Sequence, residues 1–246
     1  MEIAETVESP KERGQLHYIW HLVARNPLFV IGLFIVALLL FSAFFAPYFT
    51  PYPEDATFGI NFAEKLKPPS FKHLFGADAL GRDIFTRVVF GARMSLKIGI
   101  IVVFVSMSIG IPLGLIAGFF GGKVDEIIMR VTDMFLAFPP LLLPISIAAA
   151  LGTSIVNTMI AIAISWFPWY VRLVRAQVLT VKEELYVESA RSIGVGRITI
   201  MTRHIFPNVL SPVVIQASMD MGYTILVAAS LSFIGLGAQP PTVEWG

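Results

Sequence analysis

One acidic residue stands inside a long apolar stretch of the chain, where its carboxyl group could do chemistry. Asp220 is the one Asp, Glu, Lys or Arg within residues 209–236. A carboxylate in such surroundings is costly unless it faces a wet cavity, has a hydrogen-bonding partner or is protonated. The sequence therefore leaves two alternatives open for Asp220. It contacts a cationic group on a bound molecule, or it has a structural partner within the protein.

Other residue patterns give little reason to expect catalysis or metal binding. His17 and His21 are four residues apart, as metal ligands can be, but no third ligand pattern accompanies them, which favours two interfacial histidines. The chain has no cysteine, no HExxH or GxSxG motif and no glycine-rich loop for ATP phosphates. We predict no catalytic residue, no metal site and no cofactor in this chain.

The composition indicates the environment of these groups. Of the 246 residues, 56% are hydrophobic and 14% are charged, and the mean hydropathy is +0.75. A soluble domain of this length is less apolar, so we predict an integral membrane protein. The formal net charge of +1 argues against nucleic-acid binding, which needs a concentrated basic surface.

The apolar stretches predict an all-α bundle with five membrane-spanning helices. The predicted spans are residues 28–46, 98–120, 134–151, 154–171 and 209–236. A polar tail precedes them at residues 1–27, with an interfacial helix over residues 16–24. Residues 47–93 form a long polar loop, in which Asp83 is expected to cap a helix that starts at Ile84.

The second span has three glycines at spacings of four residues: Gly110, Gly114 and Gly118. Small residues on one helix face allow another helix to approach closely, so we predict helix packing, with a groove that lines a substrate as the alternative.

The third and fourth spans have expectations of their own. Residues 123–133 are predicted to form a short charged turn before the third span, which Pro139, Pro140 and Pro144 interrupt. Trp166, Trp169 and Tyr170 are predicted to form an aromatic belt where the fourth span leaves the bilayer.

Residues 182–208, which we call the polar segment, separate the last two spans. Glu184, Glu188 and Arg191 share one face of a first helix, which Gly194 and Gly196 interrupt. A second amphipathic helix follows and is predicted to end at Pro207. A helix, a glycine elbow and a second helix suit a projection that docks into a groove of another protein. The alternative is an ordinary amphipathic hairpin beside the membrane.

The polar segment resembles the EAA loop of ABC-importer membrane subunits, in the variant of dipeptide, oligopeptide and nickel permeases. The resemblance rests on Glu188-Ser189-Ala190, Gly194 and the ending His204 to Asn208. Ser189 and Phe206 depart mildly from the family pattern. The family contacts its ATPase subunits through this loop, which implies a coupling role for the following residues: Glu184, Glu188, Ser189, Ala190, Gly194, Gly196, Arg197, His204 and Pro207.

Two further stretches resemble the same permeases, in the same order along the chain. They are residues 73–96, before the second span, and residues 231–246. In residues 73–96 we expect a structural role at the outer face, with substrate contact by Asp78, Arg82 or Asp83 as the less favoured alternative. The family continues from residues 231–246 through a sixth span, so we expect a truncated form here, and residues 94–246 correspond to the permease core.

The resemblance implies a permease subunit that forms half of the pathway of an ATP-driven importer in a prokaryotic cell membrane. It implies a second homologous permease, two ATPase subunits that hold the ATP and Mg, and an extracytoplasmic substrate-binding protein as partners. Short peptides are the expected cargo, with nickel or oligosaccharides as alternatives. An ion-coupled secondary transporter that uses Asp220 is the alternative from another class.

The basic residues indicate an orientation in the membrane. Six of them lie between the predicted fourth and fifth spans, at positions 172, 175, 182, 191, 197 and 203. Because short cytoplasmic loops carry an excess of Lys and Arg, we predict a cytoplasmic polar segment and a cytoplasmic N-terminus.

Overall fold

A computed structural model describes residues 26–245 of the chain. The predicted interfacial helix at residues 16–24, His17 and His21 lie outside the described residues.

The described residues are helical and contain no β-strand, as the sequence predicts. The helices are α1 (Pro27–Phe49), α2 (Ile84–Phe120), α3 (Gly122–Leu136), α4 (Leu142–Leu151), α5 (Ile155–Val181), α6 (Leu185–Ser192) and α7 (Arg197–Phe233). Two short 3-10 turns, Pro53–Ala56 and Phe62–Glu64, lie between α1 and α2.

Three of these helices are long and apolar enough to cross a membrane: α1, α2 and α7. Helix α4 is apolar but has ten residues, too few to span a bilayer alone. The count of five spans and their places along the chain remain predictions.

Helix α1 is apolar along its whole length and has little contact with the rest of the protein. Asn26 caps it by accepting a hydrogen bond from the Phe29 amide at 3.3 Å. The buried residues of α1 are Ala43 and Ala46, both near its C-terminal end. The helix continues to Phe49, past the predicted boundary at residue 46, with Pro47 in its last turn.

The loop between α1 and α2 is fixed by a buried polar cluster at the start of α2. Asp83 is fully buried, and its carboxylate accepts from the Thr86 amide at 2.8 Å and contacts His73 Nδ1 at 2.9 Å. The Asp83 amide donates to Asp55 Oδ2 at 2.8 Å. The predicted helix cap at Asp83 is confirmed, and its full burial favours the structural role over contact with a transported molecule.

Residues 123–133 form most of helix α3, so the prediction of a charged turn is wrong. Glu126 and Arg130 form an i,i+4 ion pair at 2.7 Å, and such pairs support a helix. Two further ion pairs hold α3 on α5. Asp133 contacts Arg172 at 2.6 Å, and Asp125 contacts Arg175.

The predicted third span is therefore divided between two helices. Helix α3 ends at Leu136, and α4 begins at Leu142. Pro139 and Pro140 lie in the interval, where the sequence predicts an interruption, because proline removes a backbone donor and clashes with the preceding turn. Pro144 does not interrupt the span, since it lies in the first turn of α4, where no backbone donor is needed.

Helix α5 extends to Val181, beyond the predicted end at residue 171. The prediction of an aromatic belt is wrong for two of its three residues. Trp166 is buried, Tyr170 is fully buried, and Trp169 is about half exposed. Aromatic composition does not distinguish a ring that faces lipid from one that faces a neighbouring helix, and the first two rings face the bundle.

Helices α2 and α5 pack closely along the three glycines. Gly110, Gly114 and Gly118 are buried on α2. A Cβ atom added at Gly114 would lie 2.7 Å from Val174 Cβ, and one at Gly118 would lie 2.7 Å from Val178 Cβ. Side chains larger than hydrogen at these positions would force the two helices apart.

Helix α7 begins in the polar segment and continues through Pro207, so the prediction that Pro207 ends a helix is wrong. Residues Ile200–Ile205 form a π-helical stretch, and the regular α-helix resumes at Phe206, which places Pro207 in its first turn. The amide that proline lacks is least needed there, since the wide π turn already interrupts the regular hydrogen-bond ladder. The polar segment therefore merges with the last membrane helix.

Candidate functional site

The elbow of the polar segment is set by a glycine. Gly194 has φ +83°, a conformation that favours glycine, two residues after α6 ends at Ser192. The Val195 amide donates to the Ala190 carbonyl at 3.1 Å, and the Gly194 amide donates to the Arg191 carbonyl at 3.1 Å. These two bonds form a Schellman motif, which satisfies the last carbonyls of α6. The predicted break at Gly194 is confirmed, and Gly196 follows as the residue that caps α7.

The polar segment packs against the rest of the bundle through buried apolar side chains. Val187 and Ala190 of α6 are buried, as are Ile200 and Ile205 of α7, and all four belong to the main hydrophobic core. The Tyr186 hydroxyl also donates to the His204 carbonyl at 3.4 Å. The segment is thus a packed extension of the bundle.

The residues that the sequence assigns to coupling are distributed unevenly over this surface. Ala190 is buried and His204 is half-buried, so Ala190 packs α6 onto the core. The others are exposed: Glu184, Glu188, Ser189, Gly194, Gly196, Arg197 and Pro207.

Three exposed apolar side chains of the same surface are not among the residues that the sequence assigns to coupling. Leu185 is 78% exposed, Ile193 80% and Ile198 70%. In a regular α-helix, Ile198 would share a face with Ile205, seven residues later, but the π-helical stretch changes the phase between them. The sequence pattern that could have indicated them is the presence of large aliphatic residues outside the helix face that contains Val187 and Ala190.

The ion pair between Asp125 and Arg175 lies close enough to Lys182, the first residue of the polar segment, for this cation to act on the Asp125 carboxylate. Arg175 Nη2 donates to Asp125 Oδ2 at 2.6 Å, and Nε donates to the other carboxylate oxygen. The hydrogen bonds from Arg175 are the main reason that the pKa of Asp125 lies below its usual value, against the smaller opposing effect of desolvation. The same contact raises the pKa of Arg175. The charged pair holds α3 against α5.

Asp220 lies on α7 and is hydrogen-bonded through both of its oxygens. The Tyr170 hydroxyl donates to Asp220 Oδ2 at 2.6 Å, and Gln216 Nε2 donates to Oδ1 at 2.9 Å. Tyr170 belongs to α5, so this hydrogen bond links α5, which precedes the polar segment, to α7, which begins within it. This geometry supplies the structural partner that the sequence left open as one of its alternatives.

The Asp220 carboxyl group also borders a cleft of about 680 Å³ between α5 and α7. The Trp166 and Tyr223 rings lie in its wall with their centroids 5.0 Å apart. Trp169, Arg172 and Met219 complete its accessible side. The cleft combines aromatic surface with one carboxyl and one guanidinium group, so it can hold a small molecule that has both apolar and charged parts.

Among residues 26–245, no group of three His, Asp or Glu side chains is arranged to hold a metal ion.

Comparison with known proteins identifies the family. Residues 110–246 match the profile described as "Binding-protein-dependent transport system inner membrane component". The chain belongs to this family. Residues 14–69 also match "N-terminal TM domain of oligopeptide transport permease C". The family comprises transport permeases, and this chain is a permease of an ABC importer rather than an enzyme.

Two curated relatives cover most of the chain. The permease is 44% identical over 251 residues to the "Probable D,D-dipeptide transport system permease protein DdpC" of Escherichia coli K12, an alignment that covers 100% of this chain and 83% of the relative. It is 45% identical over 227 residues to the "Glutathione transport system permease protein GsiD" of Pectobacterium atrosepticum, covering 92% of this chain and 75% of the relative.

A solved structure supports the fold. The permease resembles a chain in an inward-facing structure of the MetNI methionine ABC transporter, with a TM-score of 0.56 and 17% identity. The match covers 63% of this chain and 77% of the other.

Proposed function

We propose that this permease forms half of the translocation pathway for short peptides and is driven by ATPase subunits that dock on its polar segment. The observation that carries the cargo proposal is the 44% identity over the whole chain to a permease named for D,D-dipeptides. The relatives named for glutathione, itself a small peptide, point to the same class of cargo.

The shape of the polar segment supports the docking proposal. A docking element that transmits force must be rigid, and the Schellman motif with the buried Val187 and Ile205 provides that rigidity. Leu185, Ile193 and Ile198 offer apolar surface, with Glu184 and Glu188 at their side. A helical groove on a partner recognises this combination of apolar anchors and a charged rim.

The proposed transmission runs through the two helices joined to the polar segment. Helix α5 enters the segment and α7 leaves it, so a push on the segment moves both. Their link through Tyr170 and Asp220 borders the cleft. Closure of the ATPase dimer, with ATP and Mg held by the ATPases, would then move α5 and α7 as one body and switch the access of the cleft.

We further propose that the cleft contacts the peptide. The amino terminus of a peptide is cationic, and the Asp220 carboxyl group beside Trp166 and Tyr223 supplies both charge and aromatic faces for it. Arg172, in the same wall, suits a peptide carboxylate. The structural link to Tyr170 and the contact with cargo are compatible, because an ionised carboxylate accepts several hydrogen bonds.

The proposed assembly contains a second homologous permease, two ATPases and an extracytoplasmic binding protein. The polar segment and the N-terminus face the cytoplasm in this proposal, as the distribution of basic residues predicts.

A bulky residue at the elbow tests the docking proposal. Gly194 has no neighbouring atom within 4 Å of the place where a Cβ would lie, so the side chain of Gly194→Trp starts from open space on the docking surface. Gly194→Ala is the matched control, because it has the same strain of a positive φ and almost no added bulk. Membrane vesicles that contain the full set of subunits are assayed for ATP-driven uptake of a dipeptide.

We expect uptake to fall at least about tenfold in Gly194→Trp and to stay near the wild-type rate in Gly194→Ala, as expected for loss of about 1.4 kcal/mol or more of docking energy. The amount of inserted permease is checked in each variant. Unchanged uptake in the Trp variant would contradict docking at the elbow. Uptake without ATP by the permease alone would support an ion-coupled carrier instead.

A further inference from the structure

A groove runs between α1 and α2, and none of the residues that line it lines the cleft between α5 and α7. Its volume is about 300 Å³, and α1 and α2 both contribute to its walls. Five large apolar side chains line it: Leu40, Phe44, Leu96, Ile100 and Ile101. Two cations, Arg93 and Lys97, lie in the same wall.

The position of the groove determines what can fill its apolar part. Both helices are candidate membrane spans, and α1 buries Ala43 and Ala46 while its large side chains stay exposed. An apolar cavity of about 150 Å³ stays dry and accepts a benzene ring. A larger apolar groove that opens to a bilayer therefore takes a hydrocarbon chain rather than water.

The two cations lie where the apolar part of α2 begins. They are four residues apart and so share one face of the helix, and α2 has no charged residue after Lys97. Helix α1, the opposite wall, has no charged residue. Across residues 26–245, neither cation forms an ion pair with a carboxylate. Cations at a hydrocarbon boundary need an anion or exposure to water.

We propose that the groove binds a membrane phospholipid, with its phosphate on Arg93 and Lys97 and one acyl chain along the apolar walls. Guanidinium and ammonium groups are the usual protein partners of a phosphate, and a lipid with a net negative headgroup gains more from both cations than a zwitterionic lipid does. The lipid fills the space between two helices that touch each other through a few small residues. It therefore fastens α1 to the bundle.

Native mass spectrometry of the purified permease, with the subunits it retains, tests this site. The probes are phosphatidylglycerol and phosphatidylcholine with identical acyl chains. Arg93→Gln/Lys97→Gln removes both cations, and Lys123→Gln/Arg130→Gln removes two exposed cations on α3 as the matched control. We expect phosphatidylglycerol to bind about 30-fold more weakly to the first variant, equivalent to about 2 kcal/mol for two basic groups, and unchanged to the control.

A second variant tests the apolar half of the groove without changing any charge. Leu40→Trp places an indole where the acyl chain is proposed to lie, so we expect it to reduce retention of both lipids. Arg93→Lys keeps the charge and should retain phosphatidylglycerol within a few-fold of the wild type. Equal retention of phosphatidylglycerol by the wild type and Arg93→Gln/Lys97→Gln, or undiminished retention by Leu40→Trp, would overturn the proposal.

Discussion

Replacing Gly114 by alanine should separate α2 from α5. The added Cβ would lie 2.7 Å from the Val171 carbonyl oxygen and 2.7 Å from Val174 Cβ, whereas carbon atoms in contact are normally about 3.5–4.0 Å apart. The carbonyl belongs to the backbone of α5, so no side-chain rotation relieves the overlap and the helix itself must move. Overpacking of this kind costs about 1–3 kcal/mol.

A matched variant isolates this cost from helix propensity. Gly222 of α7 has no atom within 4 Å of an added Cβ, so Gly222→Ala gains about 1 kcal/mol of helix propensity without a clash. Both variants gain this propensity, and their difference reports the clash. We expect Gly222→Ala to be more stable than Gly114→Ala by about 1–3 kcal/mol.

The assay is a titration of the purified chain in mixed micelles with sodium dodecyl sulfate, followed by circular dichroism. If the two variants unfold at the same detergent fraction, the close approach of α2 and α5 at Gly114 does not contribute to stability and the reasoning fails. A Gly114→Ala variant that is more stable than the wild type would refute it more strongly.

Two other contacts give further predictions. Tyr170→Phe removes the donor to Asp220 Oδ2 and leaves Gln216 as the remaining partner of the carboxyl group. We expect the free energy of unfolding, measured in the same titration, to fall by about 1–3 kcal/mol. An unchanged free energy of unfolding would show that the bond does not stabilise the fold. Arg175→Gln removes the groups that lower the pKa of Asp125 in the folded protein. A carboxyl group with a lowered pKa stabilises the fold at pH values above its pKa in the unfolded chain. The free energy of unfolding of the wild type should therefore exceed that of the variant by a constant amount from about pH 5 to 7. That excess should shrink as the pH falls below about 4, and an excess independent of pH would argue against an ionic contribution.

The sequence contained enough information for the helical class and for several local features. The cap at Asp83 and the break at Gly194 were predictable because each depends on a local backbone requirement, a side-chain acceptor for free amides and a positive φ. The alignment of Gly110, Gly114 and Gly118 likewise follows from a helix period that the sequence displays directly.

Features that depend on tertiary partners were not predictable in the same way. The charged residues of 123–133 suggest a turn when the sequence is considered alone. In the structure they lie on a helix, because Asp125 and Asp133 form ion pairs with arginines of α5. The burial of Tyr170 depends on which face of α5 meets α2 and α7, and hydropathy does not contain that information. The partner of Asp220 was open for the same reason, since Tyr170 is distant in sequence.

The candidate docking surface shows the same limit. Most of its exposed residues could be proposed from the polar segment. The exposure of Ile198 could not, because it depends on the π-helical stretch, which no residue pattern predicted.

The π-helical stretch Ile200–Ile205 stores one extra residue within a continuous helix. Each residue of a regular α-helix advances the direction of the side chains by about 100°, but a wide turn takes up one extra residue with almost no change in the phase of the α-helix on either side. Loss of a single codon within Ile200–Ile205 should therefore convert the stretch to regular α-helix and leave the Asp220 carboxyl group facing Tyr170. The same loss between Phe206 and Asp220 would rotate the segment before it by about 100° relative to Asp220, so the π-helical stretch is the place in this helix where evolution can most easily remove a residue.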